Sequence, residues 1–183
     1  MKKNFTYGIL AIAMILMLSV SVYAMSNNAR RGPPQAPSPT IVDTAISVND
    51  ETGEFSILIA ALGAADPSII QMLSSRGQYT VFAPTDAAFV ALLEELNTTA
   101  EDVLGNEELL NTVLTYHVVP GKRMSGDVIA SSRLRTLNGD FLFQDSGVLT
   151  DVNGRDASIV AVDVVASNGV IHVIDRVVLP TLG

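Results

Sequence analysis

The chain has 183 residues, no cysteine and only two histidines, His117 and His172. Lack of cysteine excludes disulfides, thiolate zinc sites and thiol catalysis. It also excludes a lipid-anchored cysteine at an export processing site. A fold without such staples must be held by its core. The paired His-Glu zinc motif of a helix is missing. So are a phosphate-binding glycine-rich loop and a Gly-x-Ser-x-Gly elbow. Positive charge is scarce, with 11 basic residues against 19 acidic ones. Nucleic-acid binding needs a basic face to neutralise phosphates, and the sequence offers none. An anionic membrane surface is disfavoured for the same reason. Nothing in this inventory implies a cofactor or a metal.

What is present begins with an export pattern. Lys2 and Lys3 precede an apolar run from Gly8 to Val22, and Ala24 supplies a small residue before a cut. The run is short for a span of about 20 residues, so an uncleaved anchor is the lesser alternative. Residues 1–24 therefore read as a signal peptide, and the mature chain as secreted or held in the cell envelope, with no span left after cleavage. Without Lys2 and Lys3, 9 basic residues remain against 19 acidic ones, a net charge of −10. That acidity reads as solubility rather than function. Residues 25–39 hold four of the eight prolines and read as a disordered or polyproline-like spacer. Residues 40–183 remain for one domain, long enough to bury a single core.

Inside that domain the hydrophobic period changes once. Ile41–Val48, Phe55–Ala65, a short segment from Pro67 to Leu73, and Glu107–Leu114 are helix-compatible, the last with Leu109, Leu110, Val113 and Leu114 on one face. From Arg133 onward the period becomes two. Three Asn-Gly pairs punctuate it, at Asn138-Gly139, Asn153-Gly154 and Asn168-Gly169. Such pairs predict tight hairpins with positive φ at both turn positions. Helices first and an antiparallel meander last is an α+β order. Asp151, Asn153 and Asp156 put three oxygen-bearing side chains in one hairpin, a weak calcium pattern. The twelve-residue EF-hand loop is absent, and Asn153-Gly154 is explained as a turn.

Three segments carry the most information: Thr80–Phe89 (TVFAPTDAAF), Leu114–Lys122 (LTYHVVPGK) and Asn168–Pro180 (NGVIHVIDRVVLP). Thr80–Ala83 reads as a short buried strand, stopped by Pro84. Thr85 is a natural N-cap, and Asp86 places negative charge at the positive helix end. An interaction role for Asp86 is the alternative to capping. Phe89, Leu92, Leu93 and Leu96 then form one helical stripe. In the last segment a period of two puts Val170, His172, Ile174, Arg176 and Val178 on one face. Both faces are mainly apolar, which predicts a central strand reaching Leu179 and ended by Pro180. His172 is then a hydrogen-bonded structural residue. Asp175 and Arg176, near the strand end, reach solvent. If Tyr116 and His117 are extended, they point to opposite faces. His117 is expected inward, near the Thr85–Asp86 corner, with the Tyr116 hydroxyl at a wetter edge.

In order and spacing these segments resemble the two signature boxes and the central Tyr-His box of the fasciclin-like FAS1 domain. The resemblance runs from about Thr40 to the C-terminus. It implies an α+β fold, the FAS1 β-wedge of antiparallel sheets with N-terminal and central helices packed at one side. In some animal members it implies that the Tyr-His box takes part in integrin-dependent adhesion. The functional expectation is a secreted, non-catalytic adhesion module that contacts a protein or polysaccharide at a cell surface or in extracellular matrix. Tyr116, His117, Asp175 and Arg176 are the candidate interaction residues. Thr85, Asp86, Phe89, His172 and Pro180 are structural. With one domain, avidity would need oligomers or surface display. The alternative is an envelope protein binding a small apolar ligand between helices and sheet. An enzyme has least support, since its best pair, Asp86 with His117, lacks a nucleophile.

Overall fold

A computed structural model describes residues 38–181. The signal peptide read at 1–24 lies outside the described residues, as does nearly all of the spacer read at 25–39. The first helix, α1 (Ile41–Thr52), starts where Thr40 and Asp43 cap each other reciprocally, and it ends at Gly53 with φ 70°. Helices α2 (Ser56–Ala64) and α3 (Pro67–Leu73) follow, the latter with Asp66 as cap and Pro67 in its first turn. Strand β1 (Tyr79–Pro84) then leads into α4 (Asp86–Leu96), α5 (Ala100–Leu104) and α6 (Glu107–Tyr116). After β2 (Val118–Pro120) and α7 (Ser125–Ile129) come β3 (Arg133–Arg135), β4 (Phe141–Asp145), β5 (Val148–Thr150), β6 (Asp156–Ala166) and β7 (Gly169–Ile174).

The seven strands form one sheet in the order β2-β1-β7-β6-β5-β4-β3. A bond from the Leu137 amide to the Val118 carbonyl, 2.8 Å, draws its two ends together. The fold class is α+β, as expected, but the sheet is mixed rather than antiparallel. β1 and β7, second and third in that order, run parallel, with Val81 opposite Ile171 and Ala83 opposite Val173. Most of the domain separates these two strands, so no tight turn dictates their direction. The two signature segments are thus neighbours in space.

Burial follows the period of two on both parallel strands. Val81, Ala83, Ile171 and Val173 face the helices and join Leu58, Phe89 and Leu110 in the larger core. Phe82 and Ile174 face the other way, into a second core inside the curled sheet with Tyr116, Leu142, Leu149 and Val178. Leu142 and Leu149 are wholly buried, and each contributes about 2 kcal/mol of apolar burial.

The corner after β1 differs from the sequence reading in one respect. Thr85 does cap its own helix, accepting from the Ala88 amide at 3.2 Å. Asp86 does lie in the first turn of α4, but its carboxylate caps α2, accepting from the Ser56 amide at 3.2 Å and the Ile57 amide at 2.8 Å. That helix has no side-chain cap of its own, so a residue thirty positions downstream supplies it. Asp86→Ala is expected to cost about 1–2 kcal/mol in urea unfolding. Loss of helical signal without loss of cooperativity would contradict this global role.

The turns also depart from expectation. Positive φ occurs at Gly139 and Gly154, but Asn138, Asn153 and the whole Asn168-Gly169 pair lack it. The turn with positive φ at both central positions is Ser146-Gly147, between β4 and β5. Strand β7 stops at Ile174 rather than reaching Leu179. Beyond it, the Val178 amide donates to His117 Nε2 and the Leu179 amide to Asp151 Oδ2. Donors taken by side chains cannot join a ladder.

Candidate interaction surface

The Tyr-His box is not extended. Tyr116 closes α6 and His117 is its C-cap, because the stripe of Leu110 and Leu114 continues at helical spacing to His117. Both side chains are buried. The Tyr116 hydroxyl donates to the Phe141 carbonyl at 3.0 Å and accepts from the Val152 amide at 3.2 Å. It therefore ties α6 to the far side of the sheet instead of sitting at a wet edge, and burial pushes its pKa up. His117 Nδ1 donates to the Val113 carbonyl at 2.7 Å while Nε2 accepts from the Val178 amide at 3.3 Å. Its partners are not Thr85 or Asp86. Burial pushes its pKa down to about 4. Neither side chain reaches a partner at the surface, which removes both as direct contact residues.

His172 mirrors this arrangement with the opposite tautomer. Nδ1 accepts from the Asp163 amide at 3.3 Å, so Nε2 donates to the Arg123 carbonyl at 3.0 Å. Burial lowers its pKa as well, and Phe82 stacks on the ring at 5.7 Å. The Asp163 carboxylate accepts from the Ser125 amide at 2.7 Å and hydroxyl at 2.6 Å. Serine, aspartate and histidine thus meet, but the serine bonds the carboxylate and not the imidazole. No proton relay to that hydroxyl follows from this order.

Two polar residues are hydrogen-bond hubs. Asp151, considered as a cation ligand, accepts from the amides of Asn153, Arg155 and Leu179 at 2.8, 3.0 and 2.8 Å. Asp156 is engaged by the Thr150 hydroxyl at 2.7 Å. Among the described residues no group of three or more acidic or imidazole side chains could hold a metal ion. Asn168, read only as a turn residue, accepts from the Ile41 amide at 2.8 Å. It donates to the carbonyls of Leu73 at 2.6 Å and Ser75 at 2.8 Å. It pins α1 and α3 to the sheet.

What reaches solvent is different in kind. Asp175 and Arg176 are exposed in the bend after β7, although Asp175 also accepts from the Ser158 amide at 2.7 Å. Pro180, just beyond, is buried. A groove between α2, α4 and α6 holds a cavity of about 60 Å³ and opens to solvent. Leu58, Phe89 and Leu110 line it, with His117 the single polar residue, and Leu96 stands at 48% exposure. No single helix among the described residues is long and apolar enough to cross a membrane.

The fold defines an α+β wedge whose buried polar side chains are committed to backbone and whose surface carries a helix-lined groove. The chain belongs to the fasciclin family: the Fasciclin domain family model matches residues 53–180. It is 40% identical over 182 residues to the protein sll1483 of Synechocystis sp., covering 98% of this chain and 92% of that one. It is also 39% identical over 139 residues to the pig transforming growth factor-beta-induced protein ig-h3, of which the match spans 19%. A solved FAS1 domain pair from the insect cell adhesion molecule Fasciclin I shares the fold, with a TM-score of 0.57 at 20% identity, covering 70% of this chain and 46% of that one.

Proposed function

We propose that the chain is an exported, non-catalytic adhesion or protein-interaction module, contacting a protein or polysaccharide at the cell surface or in extracellular matrix. One observation carries this reading: both imidazoles, the Tyr116 hydroxyl and the buried Asp151 carboxylate are all spent on backbone partners. Catalysis needs a positioned group with a free proton site, whereas adhesion needs only surface. A fold shared with a cell adhesion molecule supports the reading by association, and the leader pattern supports export. Asp175 and Arg176, exposed and adjacent, are the candidate contact pair at the end of β7. Proximity labelling of the exported protein in its own cell, followed by saturable capture from envelope or matrix extracts, tests it. Absence of any saturable partner sinks the adhesion reading.

A second reading draws on the groove, which is apolar enough to hold a small uncharged ligand. Native mass spectrometry of the purified protein decides it. A retained small-molecule mass supports this reading and a clean apo mass counts against it.

A further inference from the structure

Charge is divided unevenly between the two halves of the domain. From Ile41 to Tyr116 the sequence has twelve acidic residues and one basic residue, Arg76. The rest of the domain is near balance. Within the helical half the acids recur in a fixed relation to the groove. Leu96, Val103 and Leu109 line it and are not fully buried, and each directly follows two acids: Glu94-Glu95, Glu101-Asp102 and Glu107-Glu108. All six acids are exposed. Consecutive helical residues are about 100° apart, so each pair stands on the shoulder of the groove beside an apolar side chain.

Helix physics accounts for two of these pairs. Glu101-Asp102 and Glu107-Glu108 occupy first turns, where negative charge is favourable, and Asp102 also completes a capping box. Glu94-Glu95 sits in the last turn of α4, next to the negative helix end, where it is unfavourable. Among the described residues, only Glu95 of the six has a cation, Arg155 at 2.7 Å.

We propose that this acid-shouldered groove binds a basic amphipathic segment of a partner protein. Its apolar side chains at helical spacing enter between α2, α4 and α6, and its lysines or arginines meet the three acidic pairs. The charge pattern selects this occupant. An anionic ligand is repelled at the shoulders, and a small neutral molecule makes no use of them. The inference rests on the protein-interaction reading above and names its surface and the chemistry of its partner.

The test uses the full chain and a labelled 18-residue peptide of leucine and lysine at amphipathic helical spacing, followed by fluorescence anisotropy. Saturable binding is expected, weakening about ten-fold in the variant Glu94→Gln/Glu101→Gln/Glu107→Gln. Raising salt should weaken it further. The exposed Leu96→Ser change should weaken binding by about five-fold with unchanged circular dichroism, whereas Asp50→Asn/Glu51→Gln on α1 should leave it unchanged. A sequence-scrambled peptide of equal charge should bind more weakly than the amphipathic one. Equal binding of the two peptides, or indifference to Leu96→Ser, overturns the proposal in favour of diffuse charge attraction. A retained small molecule that the peptide fails to displace also overturns it. If the Leu96→Ser and triple glutamine variants still capture the partner found in extracts, the groove assignment falls while the adhesion reading stands.

Discussion

Gly169→Ala is expected to destabilise the domain by about 3 kcal/mol or more, at the upper end of overpacking. The cause is not a turn conformation, since Gly169 lacks positive φ. It lies opposite Tyr79 at the start of the parallel β1–β7 pair, where a Cβ would run into the Tyr79 carbonyl oxygen. The Ile41 side chain closes the remaining space at 2.6 Å. A backbone oxygen inside a ladder cannot turn aside as a side chain can. The contrast is Gly77→Ala, whose new methyl would meet only the ring end of Tyr79, and there the loss should be well under half as large. Chemical unfolding of both variants against the parent checks the comparison. Equal midpoints for Gly169→Ala and the parent would mean that β1 and β7 slide apart freely, and the parallel pairing would lose its rigidity.

That pairing marks the boundary of what the sequence makes legible. Local signals sufficed for Thr85 as a cap and for the stripe of Phe89 and Leu92, because capping and helical period act within a few residues. The burial of β7 on both faces was legible from its mainly apolar character. Direction was not, since a period of two gives faces and never polarity. Asp86 shows the same limit: its charge beside a helix start was visible, but the helix it serves lies thirty residues upstream. At Tyr116 and His117 local preference misled. Aromatic and β-branched neighbours favour an extended chain, yet tertiary bonds from both side chains hold one more helical turn. Carrying the Leu110–Leu114 stripe three residues further would have found it. The groove left a trace as well, in acid-acid-apolar triplets repeated three times, which composition alone flattens into net charge.

The buried imidazoles give the remaining large effect, a loss of stability in mild acid. His117 is neutral in the fold with a pKa of about 4, against about 6.5 in an unfolded chain. Its folded pKa is depressed, so its contribution is complete above the unfolded value and is lost as pH falls from about 6.5 through about 4. By pH 4 the loss is about 3 kcal/mol. His172 is shifted in the same direction and adds to the slope. Protonation would also leave the Val178 amide without its acceptor. Carboxylates do not imitate this. Asp43, Asp66 and Asp102 are held below the ordinary value by backbone and hydroxyl hydrogen bonds from Thr40, Ser68 and Thr99, so their losses start near pH 5 and fall mainly below about pH 4. Urea unfolding at pH 7.5, 5.5 and 4.0 separates the two windows. The parent should lose about 3 kcal/mol more than His117→Gln between the extremes, while the variant starts from lower stability at pH 7.5. Parallel pH dependences for the two proteins would show that the Val113–His117–Val178 link is no barrier to protonation, and His117 would cease to be the clasp between α6 and the chain beyond β7.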